Sequence, residues 1–283
     1  MKKILLFIFI FSMFNFTIAQ EADSTLNKWT PSLIASLNLS QIAFQDWTKG
    51  GEDAFSFTAG VDWIMNYKAS KWSFKNQLKG EWGQSKQGTD IKKITVNNAF
   101  NETVFFYDPG WIFKPYASNL IRTPITDGFD YGIPDVEKEQ IVAFFDPGYI
   151  TQSIGLAYDE SEIIKTRLGV AFEESFSNKF AAQYTDDAET AELETFKYET
   201  GIESVTDLNL TIDDNVVYKS KLRLFSGFNR LDVWDVAWDN TFTAEVNSWL
   251  NVNLSFILIH KVSESLRTQM QEALQVGIVY NIY

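Results

Sequence analysis

The chain has 283 residues with no cysteine, one histidine, and 37 acidic against 24 basic residues, so its formal charge is −13. The lack of cysteine excludes a disulfide scaffold, a thiolate metal site and a cysteine nucleophile, and a single histidine excludes a multi-histidine metal centre. The acidic balance argues against nucleic acid as a partner, because phosphate binding needs clustered lysine and arginine.

The N-terminus has the order of an export signal. Lys2 and Lys3 precede an apolar run over residues 4–16, and Thr17 and Ala19 supply small residues before Gln20. We therefore predict a cleaved signal peptide over residues 1–19, followed by a periplasmic segment over residues 20–31. The run is shorter than the roughly 20 residues that a membrane-spanning helix needs. The remaining choice is between a soluble exported protein, such as a β-sandwich, and a β-barrel.

Apolar and polar residues alternate about a dozen times along the rest of the chain, most clearly over residues 250–258 and 274–282. The runs cover about 10 to 14 residues, whereas soluble strands average about 5 to 6 and tilted membrane-spanning strands need about 9 to 11. Aromatic residues gather at the ends of the runs, as in the interfacial girdles of membrane barrels. We predict an all-β fold, a transmembrane antiparallel up-and-down β-barrel over residues 32–283. Its 12 predicted strands are 32–44, 54–67, 71–83, 93–106, 111–122, 148–158, 163–175, 195–207, 214–228, 233–247, 249–261 and 271–283.

An even strand number places both termini on the periplasmic side. Periplasmic links should be short and outer loops longer. The predicted connections alternate in length in this way, and the longest outer loop covers residues 123–147. Two positions fit poorly. Pro115 removes a ladder donor from the fifth strand, and Glu102 falls on the apolar parity of the fourth, which indicates a bulge or a shifted register there.

The polar parity carries full charges. A basic ninth strand lies between acid-bearing neighbours, which predicts a ladder of ion pairs inside the lumen. This ladder either fills and stiffens the lumen or lines a pore that selects charged solutes. Because a twelve-strand lumen is narrow, we favour a blocked or very narrow one. The predicted ladder consists of Lys165, Arg167, Glu199, Glu203, Lys219, Lys221, Arg223, Asp235, Asp239 and Glu245.

The segment 41–52 ends the first strand with Trp47, followed by Gly50 and Gly51. Two successive glycines allow a sharp reversal, so the segment is either a hairpin with an interfacial tryptophan or a loop that enters the barrel mouth or docks a partner. With Ala19-Gln20 ahead of it, the segment resembles a family of uncharacterised Bacteroidetes outer-membrane proteins with a Trp-x-x-Gly-Gly motif after the first strand. The resemblance covers about residues 30–283. It implies a barrel in a Gram-negative outer membrane and no particular activity.

Motifs for chemistry are nearly absent, so we expect a non-catalytic protein without cofactor or metal. The only imidazole, His260, has the outward parity near Ser263, and a lipid-modifying enzyme could use such a pair. Our first hypothesis is a scaffold or accessory subunit of an envelope complex, in contact with outer-membrane lipid and lipopolysaccharide. The alternatives are a narrow passive channel for small solutes and the lipid-modifying enzyme.

Overall fold

The computed structural model describes residues 26–43, 52–132, 137–186, 190–262 and 267–281. The predicted signal peptide and the residues Trp47, Gly50 and Gly51 lie outside these ranges. No helix within them is long and apolar enough to cross a membrane. The elements in chain order are β1 (Trp29–Ile42), β2 (Ala54–Lys68), β3 (Trp72–Gln87), β4 (Lys93–Tyr107), β5 (Lys114–Thr123), β6 (Gly128–Asp130), β7 (Glu139–Val142), β8 (Gly148–Tyr158), β9 (Ile164–Phe176), α1 (Ala181–Tyr184), β10 (Phe196–Asp213), β11 (Val216–Gly227), β12 (Asp235–Glu245), β13 (Leu250–His260) and β14 (Gln269–Asn281).

Twelve of the strands form one closed antiparallel barrel, in the ring order β1-β14-β13-β12-β11-β10-β9-β8-β5-β4-β3-β2. The ring closes where β1 pairs with β14, in a register that places Leu37 opposite Ile278. The short strands β6 and β7 form a separate hairpin in the loop between β5 and β8. The predicted fold class is confirmed, and the β-sandwich alternative is wrong because a single sheet closes on itself.

Several strands are longer than predicted. β1 begins at Trp29, within the segment expected to be periplasmic, because Trp29 pairs with Tyr67 of β2 and their rings lie 5.0 Å apart. β10 continues to Asp213 through the residues predicted as a link, since Leu208, Leu210 and Ile212 keep the alternation going. The link between β10 and β11 is correspondingly reduced to the two residues between Asp213 and Val216.

The outward parity is largely apolar and exposed. Val61 is 48% exposed, Leu254 40% and Val276 52%, values that a water-soluble core would not show. Tryptophan and tyrosine rings pair at the periplasmic strand ends, with centroids 4.4 Å apart for Trp72 and Tyr107. Phe57 and Trp82 form a similar pair, 5.6 Å apart, at the outer ends of β2 and β3. An apolar band between two aromatic girdles is the outer surface expected of a membrane-spanning barrel.

The outer loop between β9 and β10 is held by one carboxylate. Asp146 accepts hydrogen bonds from the Ser177 hydroxyl at 2.5 Å and from the backbone N–H groups of Asn178 and Lys179 at 3.1 and 2.9 Å. Burial raises the pKa of Asp146, but these hydrogen bonds stabilise the charged form more, so the net pKa lies below the usual range. The loop is thereby tied to the segment that precedes β8.

A pair of inward-facing glycines makes room for an aromatic side chain in the lumen. Gly155 of β8 pairs with Gly169 of β9, and a Cβ on Gly169 would lie 2.4 Å from the carbonyl oxygen of Ile154 and 2.7 Å from the Tyr116 hydroxyl. Tyr116 is 3% exposed and packs with Val104 and Ala157 in a small apolar cluster. The lumen is therefore packed at this level on the β4–β9 side.

Candidate functional site in the barrel lumen

Glu102 of β4 is the centre of the first ion-pair cluster. Its carboxylate lies 2.5 Å from the guanidinium of Arg167 on β9 and 2.5 Å from the ammonium of Lys221 on β11. The side chains of Glu102 and Arg167 are only 7% and 8% exposed. Each charge is shielded from water, so its partner is what makes its burial tolerable.

The pairs of Glu102 reach across the barrel rather than along its wall. Four strands, β5, β8, β9 and β10, separate β4 from β11 on one side of the ring, and six separate them on the other. The contact between Glu102 and Lys221 therefore joins nearly opposite walls, and the two side chains together span almost the full barrel diameter. We call this connection the chord of Glu102, and it divides the lumen at the depth of Glu102.

Glu173 of β9 is the centre of a second cluster, nearer the outer end. Its carboxylate lies 2.8 Å from Arg223 on β11, 3.0 Å from Lys261 after β13 and 3.8 Å from Arg122 on β5. Arg223 is also paired with Glu203 of β10 at 2.6 Å. The Glu173 side chain is 1% exposed. Three cations from three parts of the ring converge on one carboxylate, which forms a second obstruction.

A third group lies at the outer rim. Arg230, in the loop between β11 and β12, pairs with Glu199 of β10 at 3.1 Å and with Asp235 of β12 at 2.8 Å. The hydrogen bond to Asp235, followed by the nearby charge of Glu199, outweighs desolvation and raises the pKa of Arg230. This loop is thus fixed to the barrel wall by two carboxylates.

The predicted ladder residues are divided among these clusters and the open part of the lumen. Arg167, Glu203, Lys221 and Arg223 enter the two inner clusters, and Glu199 and Asp235 enter the rim group. Lys165, Lys219, Asp239 and Glu245 are exposed and make no ion pair within the described ranges. Of the inner contacts, Arg223 with Glu203 joins neighbouring strands as the ladder requires, while the pairs of Glu102 and Glu173 do not.

Part of the lumen stays accessible to water. Lys75 of β3 pairs in register with the inward-facing Val104, and Asp239 of β12 pairs with Lys221, yet both charged side chains are exposed. Lys79 and Glu81 form an ion pair at 3.0 Å with both side chains about one-third exposed. The chords of Glu102 and Glu173 therefore leave a wet compartment on the β3 and β12 side.

Glu102 lies on the apolar parity of β4, as the sequence indicates, but the bulge or shifted register expected there is wrong, because the apolar parity of this strand faces the lumen. The inner face of β4 carries Val104, which is 3% exposed, together with Glu102. The register shift on β4 lies between Gly83 and Gln84 of the β3 partner, away from Glu102. An isolated acid on an otherwise apolar parity was the available signal, because it demands a cationic partner. Pro115 takes the second position of β5, pairing with Leu156.

The candidate pair of His260 and Ser263 is only partly covered by the described part of the chain. The Nδ1 atom of His260 is hydrogen-bonded to the hydroxyl of Thr268, with 3.2 Å between the two atoms. Ser263 lies outside the described ranges. No group of three histidine or acidic residues there is arranged to hold a metal ion. What the described lumen residues can do is bind one another, carry charge and exclude solutes by size.

The closed antiparallel barrel, its apolar outer band and its aromatic girdles define an integral β-barrel of the outer membrane, with porin-like architecture and a charged interior. Residues 39–129 match a family described as protein of unknown function (DUF3078). A comparison with proteins of curated function finds no match.

Several solved outer-membrane barrels are similar to the chain. A COG4313 outer membrane channel from Pseudomonas putida F1 is 9% identical with a TM-score of 0.41, covering 89% of this chain and 94% of that one. The NanC porin is 8% identical with a TM-score of 0.40, over 87% and 98% of the two chains. The translocator domain of autotransporter NalP from Neisseria meningitidis is 9% identical with a TM-score of 0.36, over 89% and 87%. Similarity this distant carries no information on activity.

Proposed function

We propose that this protein is a non-catalytic outer-membrane barrel whose lumen is obstructed by ion pairs, and that it acts as a scaffold or accessory subunit of an envelope complex. The observation that supports an obstructed lumen is the direct contact of Glu102 with Lys221, nearly across the ring. The Glu173 cluster adds a second barrier, so a solute has to pass two levels where opposite walls touch.

A solute path would have to break these contacts at some cost. Separating a buried carboxylate from its cations leaves uncompensated charges, which costs several kcal/mol. An obstruction of this kind is stable without a ligand to hold it. It is therefore compatible with a structural role and poorly suited to free diffusion of metabolites.

Planar-bilayer recording tests the proposal. The wild-type protein should give no unitary currents in high salt, whereas the triple variant Glu102→Ala, Arg167→Ala and Lys221→Ala, combined with Glu173→Ala and Arg223→Ala to remove the second barrier, should conduct. A matched control is Lys114→Ala, which removes the ion pairs of Lys114 with Asp159 and Glu160 at the periplasmic rim. Clear unitary currents from the wild type would overturn the obstructed lumen.

The second candidate function is a narrow passive channel for small ions, and the wet compartment beside Lys75 and Asp239 favours it. Small wild-type currents that change with Lys75→Gln and Asp239→Asn, and not with the triple variant, would support this candidate.

The accessory-subunit role has a separate test. Affinity purification from detergent-solubilised outer membrane should recover stoichiometric companion proteins. The chain recovered without any other protein would contradict this part of the proposal. The Bacteroidetes origin and the role of Trp47, Gly50 and Gly51 as a family motif stay predictions.

A further inference from the structure

A row of polar side chains crosses the lipid-facing surface of the barrel. Asn76 of β3 pairs in register with Thr103 of β4, Thr103 with Asn119 of β5, and Asn119 with Gln152 of β8. Asn101, two residues from Thr103, lies on the same parity. We call Asn76, Asn101, Thr103, Asn119 and Gln152 the amide patch.

The amide patch faces outward. Leu78, Phe105 and Ile154 share its parity on three of the same strands and are 40%, 41% and 61% exposed. The inward parity of these strands instead carries Glu102 and Tyr116, which are buried in the lumen. In a membrane the patch would therefore meet acyl chains unless a protein covers it.

The patch lies within the hydrocarbon layer rather than at its edge. Asn76 is four residues from Trp72, and Gln152 is six residues from Tyr158, at the periplasmic ends of β3 and β8. With a rise of about 3.3 Å per residue and a tilt of about 40°, these separations correspond to roughly 10 to 15 Å of depth. That is near the middle of an apolar band about 25 Å tall.

Two of the five residues of the amide patch have no hydrogen-bond partner within the described ranges. Asn76 donates to Asn101 at 3.2 Å and to Thr103 at 2.9 Å. By contrast, the side chains of Asn119 and Gln152 make no hydrogen bond within the described ranges, and Gln152 is exposed. An amide in hydrocarbon without a partner costs several kcal/mol.

Some lipid-facing polar side chains elsewhere on the barrel are hydrogen-bonded to a neighbour. Thr166 and Thr206 bond each other at 2.9 Å between hydroxyl oxygens, and Tyr218 donates to Asn240 at 2.6 Å. The amides of Asn119 and Gln152, which pair in register on adjoining strands, thus differ from the amide of Asn240 and call for a partner on the β5–β8 face.

We propose that a second copy of this chain covers the amide patch, giving a two-fold dimer in the membrane. Asparagine and glutamine side chains carry both donors and acceptors, so the same patch on another copy is complementary to it. A two-fold axis along the membrane normal keeps each residue at its depth and reverses the row. The two sloping rows then cross at the axis, where Thr103 of one copy meets Asn119 of the other.

Small outward residues beside the row permit close approach of two walls. Ala99 and Ala117 have the outward parity on β4 and β5. Membrane interfaces favour such residues because they allow backbones to come together and polar side chains to bond across.

The chain lacks cysteine, so single cysteines can report the contact. Ala117→Cys, two residues from Asn119 on the lipid-facing side of β5, lies beside the proposed axis and should form a disulfide-linked dimer when oxidised in native outer membranes. Val61→Cys, on another lipid-facing strand and 48% exposed, is the matched control and should stay monomeric. A monomeric Ala117→Cys, or equal crosslinking of Val61→Cys, would overturn the dimer.

A second measurement tests the amides themselves. In detergent, the wild type should have the mass of two chains, and the double variant Asn119→Leu and Gln152→Leu should lower the dimer fraction at least ten-fold. Thr206→Val is the control, because it removes a lipid-facing hydroxyl away from the patch. A heat-dependent shift in gel mobility shows that each variant is a folded barrel.

An unchanged dimer fraction in the double variant would contradict the proposal, and so would a different protein bound at the patch. Neither measurement depends on whether the lumen conducts or on which envelope proteins copurify. The dimer and the proposed function can therefore fail separately.

Discussion

The carboxylate of Glu102 and the ammonium of Lys221 lie 2.5 Å apart although their strands, β4 and β11, stand nearly opposite in the ring. Arg167 completes the contact from a third strand. If only the pairing between neighbouring strands stabilises the barrel, loss of the Glu102 carboxylate should change the free energy of unfolding little. If the ion pairs across the lumen also stabilise it, the free energy of unfolding should fall clearly.

Glu102→Gln should lower the free energy of unfolding by about 3 kcal/mol, because it leaves Arg167 buried beside a neutral group. Urea unfolding in lipid vesicles measures the change. Lys79→Gln is the control: it breaks the Lys79–Glu81 pair, whose side chains are 37% and 33% exposed, and should cost at most about 1 kcal/mol. Equal losses in the two variants would show that the chord does not brace the barrel.

Gly169→Ala should destabilise the barrel by about 2 kcal/mol, since the new methyl group has to displace the Ile154 carbonyl or the Tyr116 ring. Gly80→Ala is the matched control. A Cβ there meets only Ile125, at an ordinary 3.7 Å. Unfolding midpoints of the two variants should differ clearly, and a neutral Gly169→Ala would mean that β8 and β9 are less tightly apposed than described.

Trp72→Ala should cost about 1 to 2 kcal/mol, because the ring packs on Phe105 at 4.8 Å and Tyr107 at 4.4 Å in the periplasmic girdle. Trp111, in the turn before β5, is 64% exposed and makes no ring contact with any described residue. Trp111→Ala should therefore have the smaller effect in the same unfolding assay. The reverse order would argue against the girdle.

The Asp146 anchor should depend on pH. Its pKa is lower in the folded state than the unfolded value of about 3.9, so the anchor contributes fully above that value. The contribution is lost as the pH falls below about 3.9 and through the lowered folded-state pKa. Amide exchange at Asn178 and Lys179, corrected for its intrinsic pH dependence, should accelerate over that range.

Asp146→Asn is the control for this pH dependence, because the amide keeps an acceptor oxygen but does not titrate. Its exchange at these two amides should be fast already at neutral pH and should lose the acid-dependent step. A wild-type loop whose protection is unchanged down to pH 2 would contradict the anchor.

The strands were largely predictable because alternation is a local property. A residue's parity is set by its neighbours two positions away, so β8 was predicted over 148–158, as observed. Strand ends were less predictable, since β1 starts at Trp29 through its pairing with Tyr67 on another strand. The same alternation also predicted which charged side chains face the lumen, including those of Arg167, Glu203 and Lys221.

The sequence by itself determined a long-stranded antiparallel β-barrel with a mainly apolar outward parity and a charged inward parity. Only the tertiary structure decided which charges meet. Glu102 and Lys221 are 119 positions apart in sequence, and closure of the ring with a defined register is what brings them together. The pairing of β3, β4, β5 and β8 aligned Asn76, Thr103, Asn119 and Gln152 into one row, because register between strands is a non-local property that no single strand encodes.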